Sequence, residues 1–145
     1  MKVVLQRTSG AEVVIDDKVH SRSGMGLLLL VGTTHGDTEK NCEKLAEKVV
    51  NLRIFEDEDG KMNLSALDVG AELMIVSQFT LYADTRKGRR PAFTDALEPV
   101  EAERLYNEFV DMVRGYGLNV ATGVFGAKMD VRFDNYGPVT IILEQ

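Results

Sequence analysis

The sequence predicts an α+β domain in which outer helices cover a mixed, curved sheet. Apolar runs of strand length with β-branched members recur at Gly26 to Val31, Glu72 to Val76 and Val139 to Leu143. Two segments between them carry apolar residues at helical spacing instead. No repeat, low-complexity tract or Pro- or Ser-rich linker divides the chain, so residues 1–145 read as a single domain. A composition of 44% hydrophobic and 28% charged residues fits a globule with a sizeable core.

Met1 to Thr8 and Ala11 to Ile15 read as a first pair of strands, with Asp16-Asp17-Lys18 turning out of the second. Gly26 to Val31 follows as a fully buried strand. Asp37 or Thr38 caps a helix that carries Cys42, Leu45, Ala46 and Val49 at i, i+3, i+4, i+7, with charged residues facing out. Glu56-Asp57-Glu58-Asp59-Gly60 reads as a solvated hairpin loop, because it lacks the glycine and terminal glutamate positions of a calcium loop. Glu72 to Val76 is a buried strand that turns polar at its end. A longer helix starts near Pro99, presents Ala102, Leu105, Tyr106, Phe109, Met112, Val113 and Tyr116 to the core, and ends at Gly115 and Gly117. Asn119 to Gly123, Lys128 to Phe133 and Val139 to Leu143 return to strand.

Several chemistries are disfavoured. The longest uninterrupted apolar stretch, Leu27 to Val31, cannot span a bilayer, and the N-terminus lacks a basic region followed by a long apolar one, so a cytoplasmic protein is expected. Cys42, the single cysteine, sits in a helical pattern as a small core residue rather than a nucleophile. His20 falls in the turn region after the second strand and His35 in a Gly-Thr loop. With no His-Glu pair at helical metal-binding spacing, no metal is expected. Gly24-Met25-Gly26 is too incomplete for a phosphate loop, so no cofactor is expected either.

A net charge of −6 opposes broad attraction to nucleic acid, yet Arg86, Lys87, Arg89 and Arg90 put four positive charges within five residues. Without them the chain sums to −10. Taken alone, such a run is a solvated turn paired with nearby acids. Its place directly after Ser77 to Tyr82 favours phosphate contact.

Ser77-Gln78-Phe79-Thr80-Leu81-Tyr82 puts hydroxyls, an amide and free backbone N–H groups where a buried strand meets solvent, a place where developing negative charge is stabilised. For Ser77 or Thr80 in isolation, satisfying nearby backbone is the simpler use. In Asn135-Tyr136-Gly137-Pro138-Val139-Thr140 the proline directly precedes an apolar run, so it starts a strand or sits on its edge.

Together the two segments resemble the D-aminoacyl-tRNA deacylase family, whose signatures are SQFTL and NxGPxT. Both are intact. The resemblance extends over Gln6-Arg7, Leu52-Arg53-Ile54-Phe55, Gly60-Lys61-Met62-Asn63, Lys87-Gly88-Arg89-Arg90-Pro91 and Phe125-Gly126-Ala127-Lys128-Met129, which is effectively the whole chain. Thr8 and Lys128 are small departures outside the signatures. The resemblance implies a barrel-like sheet, a homodimer with active sites at the subunit interface, and hydrolysis of the ester of D-aminoacyl-tRNA. It also implies a cis Gly137-Pro138 pair that enters the partner's pocket and rejects L-aminoacyl groups, with Asn135 in the same motif and Phe125, Ala127 and Met129 as the pocket wall.

A threonine hydroxyl is a poor nucleophile without an activating base, and none is apparent. An aminoacyl ester is already activated and carries its own adjacent ribose hydroxyl, so a site need mainly orient it and hold its oxyanion. Ser77, Gln78, Phe79 and Thr80 are therefore assigned to ester and oxyanion contact, with the Thr80 hydroxyl either positioning the ester or attacking it, and positioning preferred. Arg86, Lys87, Arg89 and Arg90 are assigned to tRNA. Glycine lacks the side chain such a filter rejects, which makes mischarged glycyl-tRNA a second substrate. The rivals are a related deacylase with relaxed chirality acting on L-alanyl-tRNA, and a noncatalytic nucleic-acid-binding module.

Overall fold

The computed structural model describes residues 1–145, and one long strand organises it. In β1 (Lys2–Ile15) alternation buries Val3, Leu5 and Val13 completely on the inner side. One edge of β1 pairs antiparallel with β8 (Asp130–Glu144) from Lys2 to Val14. The other edge is shared, Lys2 to Thr8 pairing with β3 (Gly26–Gly32) and Ala11 to Ile15 with β2 (Lys18–Ser23).

The two strands expected at Met1 to Thr8 and Ala11 to Ile15 are thus one. Their pairing with β8 slips between Gln6 and Thr8 and again between Thr8 and Ala11, so Ser9-Gly10 bends the strand instead of ending it. The strands expected at Lys128 to Phe133 and Val139 to Leu143 likewise merge into β8, which starts at Asp130 and continues through Asn135 to Pro138. The turn out of β1 is tighter than expected. Asp16 and Asp17 both take positive φ, 49° and 60°, and Lys18 already pairs with Ile15, a two-residue hairpin whose twist suits the flanking strands. His20 consequently lies on β2, exposed, rather than in a turn.

β3 pairs in parallel with β6 (Glu72–Ser77), and β6 in parallel with β7 (Val120–Thr122), giving the order β2-β1-β3-β6-β7. Parallel neighbours need crossovers, which α1 (Glu39–Asn51) and α3 (Pro99–Gly115) supply. The sheet curls until its ends approach. Ser21 Oγ on β2 donates to the Thr122 carbonyl on β7 at 2.7 Å, so the barrel is nearly closed. β4 (Phe55–Glu56) and β5 (Met62–Leu64) form a small hairpin around the acidic loop, and α2 (Ala66–Val69) leads into β6.

β3 and β6 are buried on both faces, which is why they read as unbroken apolar runs. Leu27, Leu29, Leu73 and Ile75 face the helices and meet Leu45, Val49, Leu105 and Phe109. Leu28, Met74 and Val76 face the barrel interior with Val13. Thr38 is the N-cap of α1, its N–H donating to Asn41 Oδ1 at 2.9 Å, while Asp37 accepts from the Thr34 amide and pairs with the amine of Met1. Glu98 caps α3 by accepting from the Val100 and Glu101 amides at 3.1 and 2.9 Å. The core face of α3 includes Val110, which the spacing did not single out, whereas Tyr116 is its exposed C-cap and Gly115 is still helical.

Candidate active site

β6 ends at Ser77 and the chain turns at once into a 3-10 turn, Phe79–Tyr82. The Gln78 amide donates to the Val31 carbonyl at 2.7 Å, which fixes the start of that turn against the end of β3. Leu81 N donates to Gln78 O and Ala83 N to Thr80 O, but the Phe79 and Thr80 amides find no acceptor in the chain. They are the orphan donors that open any helical turn, available to an oxyanion.

Beside this turn lies a cavity of about 420 Å³, bordered by Ser77, Gln78 and Phe79, by Thr33 and Phe93, and by Tyr106 and Phe125. Its floor is rigid, because the Tyr106 hydroxyl donates to the Ile75 carbonyl at 2.8 Å and its ring packs 6.0 Å from that of Phe125. Burial and desolvation push the Tyr106 phenol up to about 12. The N-terminus of α3, at Glu98 and Pro99, forms one rim.

The expected site residues separate into groups. Ser77, Gln78, Phe79 and Phe125 meet at the cavity. Thr80 does not line it, and its hydroxyl accepts from Gln78 Nε2 at 2.5 Å in an exposed position. Ala127 closes a turn by donating to Val124 O, and Met129 lies behind the wall, its sulfur accepting from the Val124 amide at 3.3 Å. Asn135 braces its own motif: Oδ1 accepts from Val139 N at 2.9 Å and Nδ2 donates to Thr140 Oγ1 at 2.8 Å. The Gly137-Pro138 peptide bond is cis.

Gly137 and Pro138 are not at this chain's own cavity. They lie on β8, separated from β6 by β1 and β3, so three strand spacings, about 14 Å, intervene along the sheet.

Between Asp84 and Ala92, whose backbones exchange two hydrogen bonds of 2.8 and 2.9 Å, projects a basic arm. Arg86 is spent within it, binding Asp84 through Nε at 2.9 Å and a terminal nitrogen at 2.8 Å and holding that carboxyl down at about 2. Lys87, Arg89 and Arg90 are exposed and form no ion pair. Neither His35, whose Nε2 lies 3.0 Å from the Thr94 carbonyl, nor Cys42 takes part. Burial, helped by Glu108, pushes the Cys42 thiol up to about 11.

Arg7, Thr33, Phe93 and Tyr106 were not singled out from sequence as functional. Arg7 had a readable signal: it follows Val3 and Leu5 on the inward parity of β1 and is 3% exposed, an unusual place for a guanidinium. Its NH1 donates to Ile54 O at 2.7 Å, Nε to Tyr136 O at 3.1 Å, and NH2 lies 3.7 Å from Glu56. It therefore ties β4 to the Gly137-Pro138 segment from within. Phe93, a lone aromatic in a polar stretch, carries no such signal.

Comparison with known proteins agrees with this architecture. Proteins named D-aminoacyl-tRNA deacylase from Bacillus cereus (strain B4264) and Bacillus thuringiensis (strain Al Hakam) are 58% and 57% identical over 144 residues, covering 99% of both chains in each case. A solved structure titled c-Myc DNA Unwinding Element Binding Protein superposes with a TM-score of 0.94 at 41% identity, covering 100% of this chain and 99% of that one. Another, titled as a probable eukaryotic D-amino acid tRNA deacylase, shares the fold with a TM-score of 0.84 at 20% identity, over 98% and 97%. The family model described as D-Tyr-tRNA(Tyr) deacylase matches residues 4–144, and with relatives this similar over nearly the whole length the chain belongs to that family.

Proposed function

We propose that the protein hydrolyses the ester between a D-amino acid and tRNA, releasing both, and so acts in chiral proofreading during translation. The observation that carries this is the pair of unclaimed amides at Phe79 and Thr80, in the turn beside a preformed cavity that Phe79 borders, in a chain of this family. Two fixed donors suit the oxyanion of an ester tetrahedral intermediate, and they need no reorganisation when charge develops. The ester enters with its carbonyl toward these amides, the ribose hydroxyl next to it assists, and Thr80, held by Gln78, orients the amide edge.

Selection between D and L substrates is assigned to main-chain atoms of Gly137 and Pro138 from a second copy of the chain. Their separation from this chain's cavity supports that reading, as does β8, whose outer edge pairs with nothing and exposes Tyr136 and Ile142. In this reading the homodimer completes two sites at its interface, with Phe125 in the wall, Ala127 and Met129 behind it, and Asn135 bracing the Gly137-Pro138 segment. Lys87, Arg89 and Arg90 hold tRNA phosphates, with Arg86 shaping the arm. Glycine has no side chain for the filter to reject, so mischarged glycyl-tRNA is also cleaved.

The structure titled as a DNA unwinding element binding protein favours one second reading, nucleic-acid binding without catalysis. Purified protein incubated with D-Tyr-tRNA separates the two: first-order release of D-tyrosine supports the deacylase, and stoichiometric binding without release supports the module.

A further inference from the structure

The mouth of the cavity carries two aromatic rings that the core does not use. Phe79 is 57% exposed and Phe93 37%, and they meet edge to face with centroids 5.0 Å apart at 67°. Each is anchored separately. Phe79 opens the 3-10 turn, while Phe93 follows the basic arm in a segment pinned to the Thr33–His35 loop by Leu97 N to Thr33 O at 3.1 Å and by Thr34 Oγ1 to Asp95 O at 2.5 Å. The arm that leads into Phe93 carries three exposed cations that form no ion pair, Lys87, Arg89 and Arg90.

Exposed aromatic faces next to free cations contribute little to folding, but they are what a single strand of nucleic acid needs: rings on which bases stack and charges along which phosphates run. We propose that Phe79, Phe93 and the Lys87–Arg90 arm form a platform for the unpaired nucleotides preceding the aminoacylated terminal nucleoside. The substrate is then recognised as a single-stranded 3′ end, by stacking that tolerates any base because every base has a π face. The inference rests on the deacylase reading, since the ester at the Phe79 and Thr80 amides sets where the preceding nucleotides lie.

The test uses the full protein and D-tyrosyl esters of adenosine, of the dinucleotide CA and of the trinucleotide CCA, with kcat/KM as readout. For the unaltered protein each added nucleotide should raise kcat/KM on the order of tenfold. In Phe93→Leu that rise should flatten, in Phe93→Tyr it should persist, and exchanging the added cytidines for uridines should preserve it. A rise as steep in Phe93→Leu as in the unaltered protein overturns the platform. So does a loss of dimer mass in Phe93→Leu by sedimentation, which would assign the rings to contact between copies. Binding of uncharged CCA, followed by NMR titration, keeps the two ideas distinguishable: Phe93-dependent binding without turnover of any ester removes the deacylase reading and leaves the platform standing.

Discussion

Arg7 and Tyr136 are joined twice, by a hydrogen bond from Nε to the Tyr136 carbonyl at 3.1 Å and by the guanidinium carbon lying 5.1 Å from the centroid of the Tyr136 ring. Because Arg7 also holds the Ile54 carbonyl, one buried side chain fixes the backbone on both sides of it. Arg7→Ala leaves the buried Ile54 carbonyl and the part-buried Tyr136 carbonyl without their charged donor, and a fully buried unsatisfied group costs about 1–3 kcal/mol, a part-buried one less. A urea unfolding series should show about 2–4 kcal/mol lost, with Arg7→Lys intermediate because a single ammonium cannot fork between both acceptors.

Gly137 lies just beyond that contact at φ +127°, where side chains are rarely tolerated. A Cβ there would sit 2.8 Å from an Arg7 terminal nitrogen and 3.0 Å from Val139 Cγ2. Gly137→Ala is therefore expected to cost about 1–3 kcal/mol of stability and to slow cleavage of D-Tyr-tRNA itself, as measured by unfolding and by initial rates.

Where residue periodicity is local, the fold could be read from sequence. The i, i+3, i+4, i+7 set Cys42, Leu45, Ala46, Val49 is fully buried as its spacing implied, and the runs in β3 and β6 are strands. What could not be read was continuity: Ser9-Gly10 and Asn135 to Pro138 look like strand ends, but on a strongly curved sheet the pairing shifts and resumes. The site was half legible. Ser77, Gln78 and Phe79 of the SQFTL segment border the cavity, but the sequence cannot show that Thr80 turns toward Gln78, that Arg86 is taken up by Asp84, or that Phe93 returns from a later segment to meet Phe79.

Thr80→Ala should retain a substantial part of the deacylation rate, since its hydroxyl is engaged by Gln78 outside the cavity. Replacing the adjacent ribose hydroxyl of the substrate by hydrogen should nearly abolish turnover. Single-turnover kinetics on both comparisons decide it, and the opposite pattern would make Thr80 the nucleophile.

The arm should contribute through three of its four cations. Removing Lys87, Arg89 and Arg90 together should flatten the salt dependence of tRNA binding by roughly 0.7–0.9 log units per lost phosphate contact. Arg86→Ala should change that slope little, because Asp84 already neutralises it. Binding titrations between low and moderate salt report both.

Cys42 is fully buried, with its thiol held up at about 11 chiefly by desolvation and then by Glu108. The native protein should resist alkylation at neutral pH and react only on unfolding. Its folded value is raised above the unfolded one near 8.5, so the stability tied to the neutral thiol is complete below about pH 8.5 and falls as pH climbs toward 11. Mass spectrometry of iodoacetamide-treated protein, folded and denatured, checks the first part, and thermal midpoints across that alkaline range check the second.

The central claim is tested most directly by the rates at which the purified protein cleaves D-Tyr-tRNA, L-Tyr-tRNA and Gly-tRNA under identical conditions. The account predicts rapid loss of the D-tyrosyl and glycyl esters while the L-tyrosyl ester decays no faster than in buffer. Equal cleavage of the D and L esters, or no cleavage of either, would contradict it.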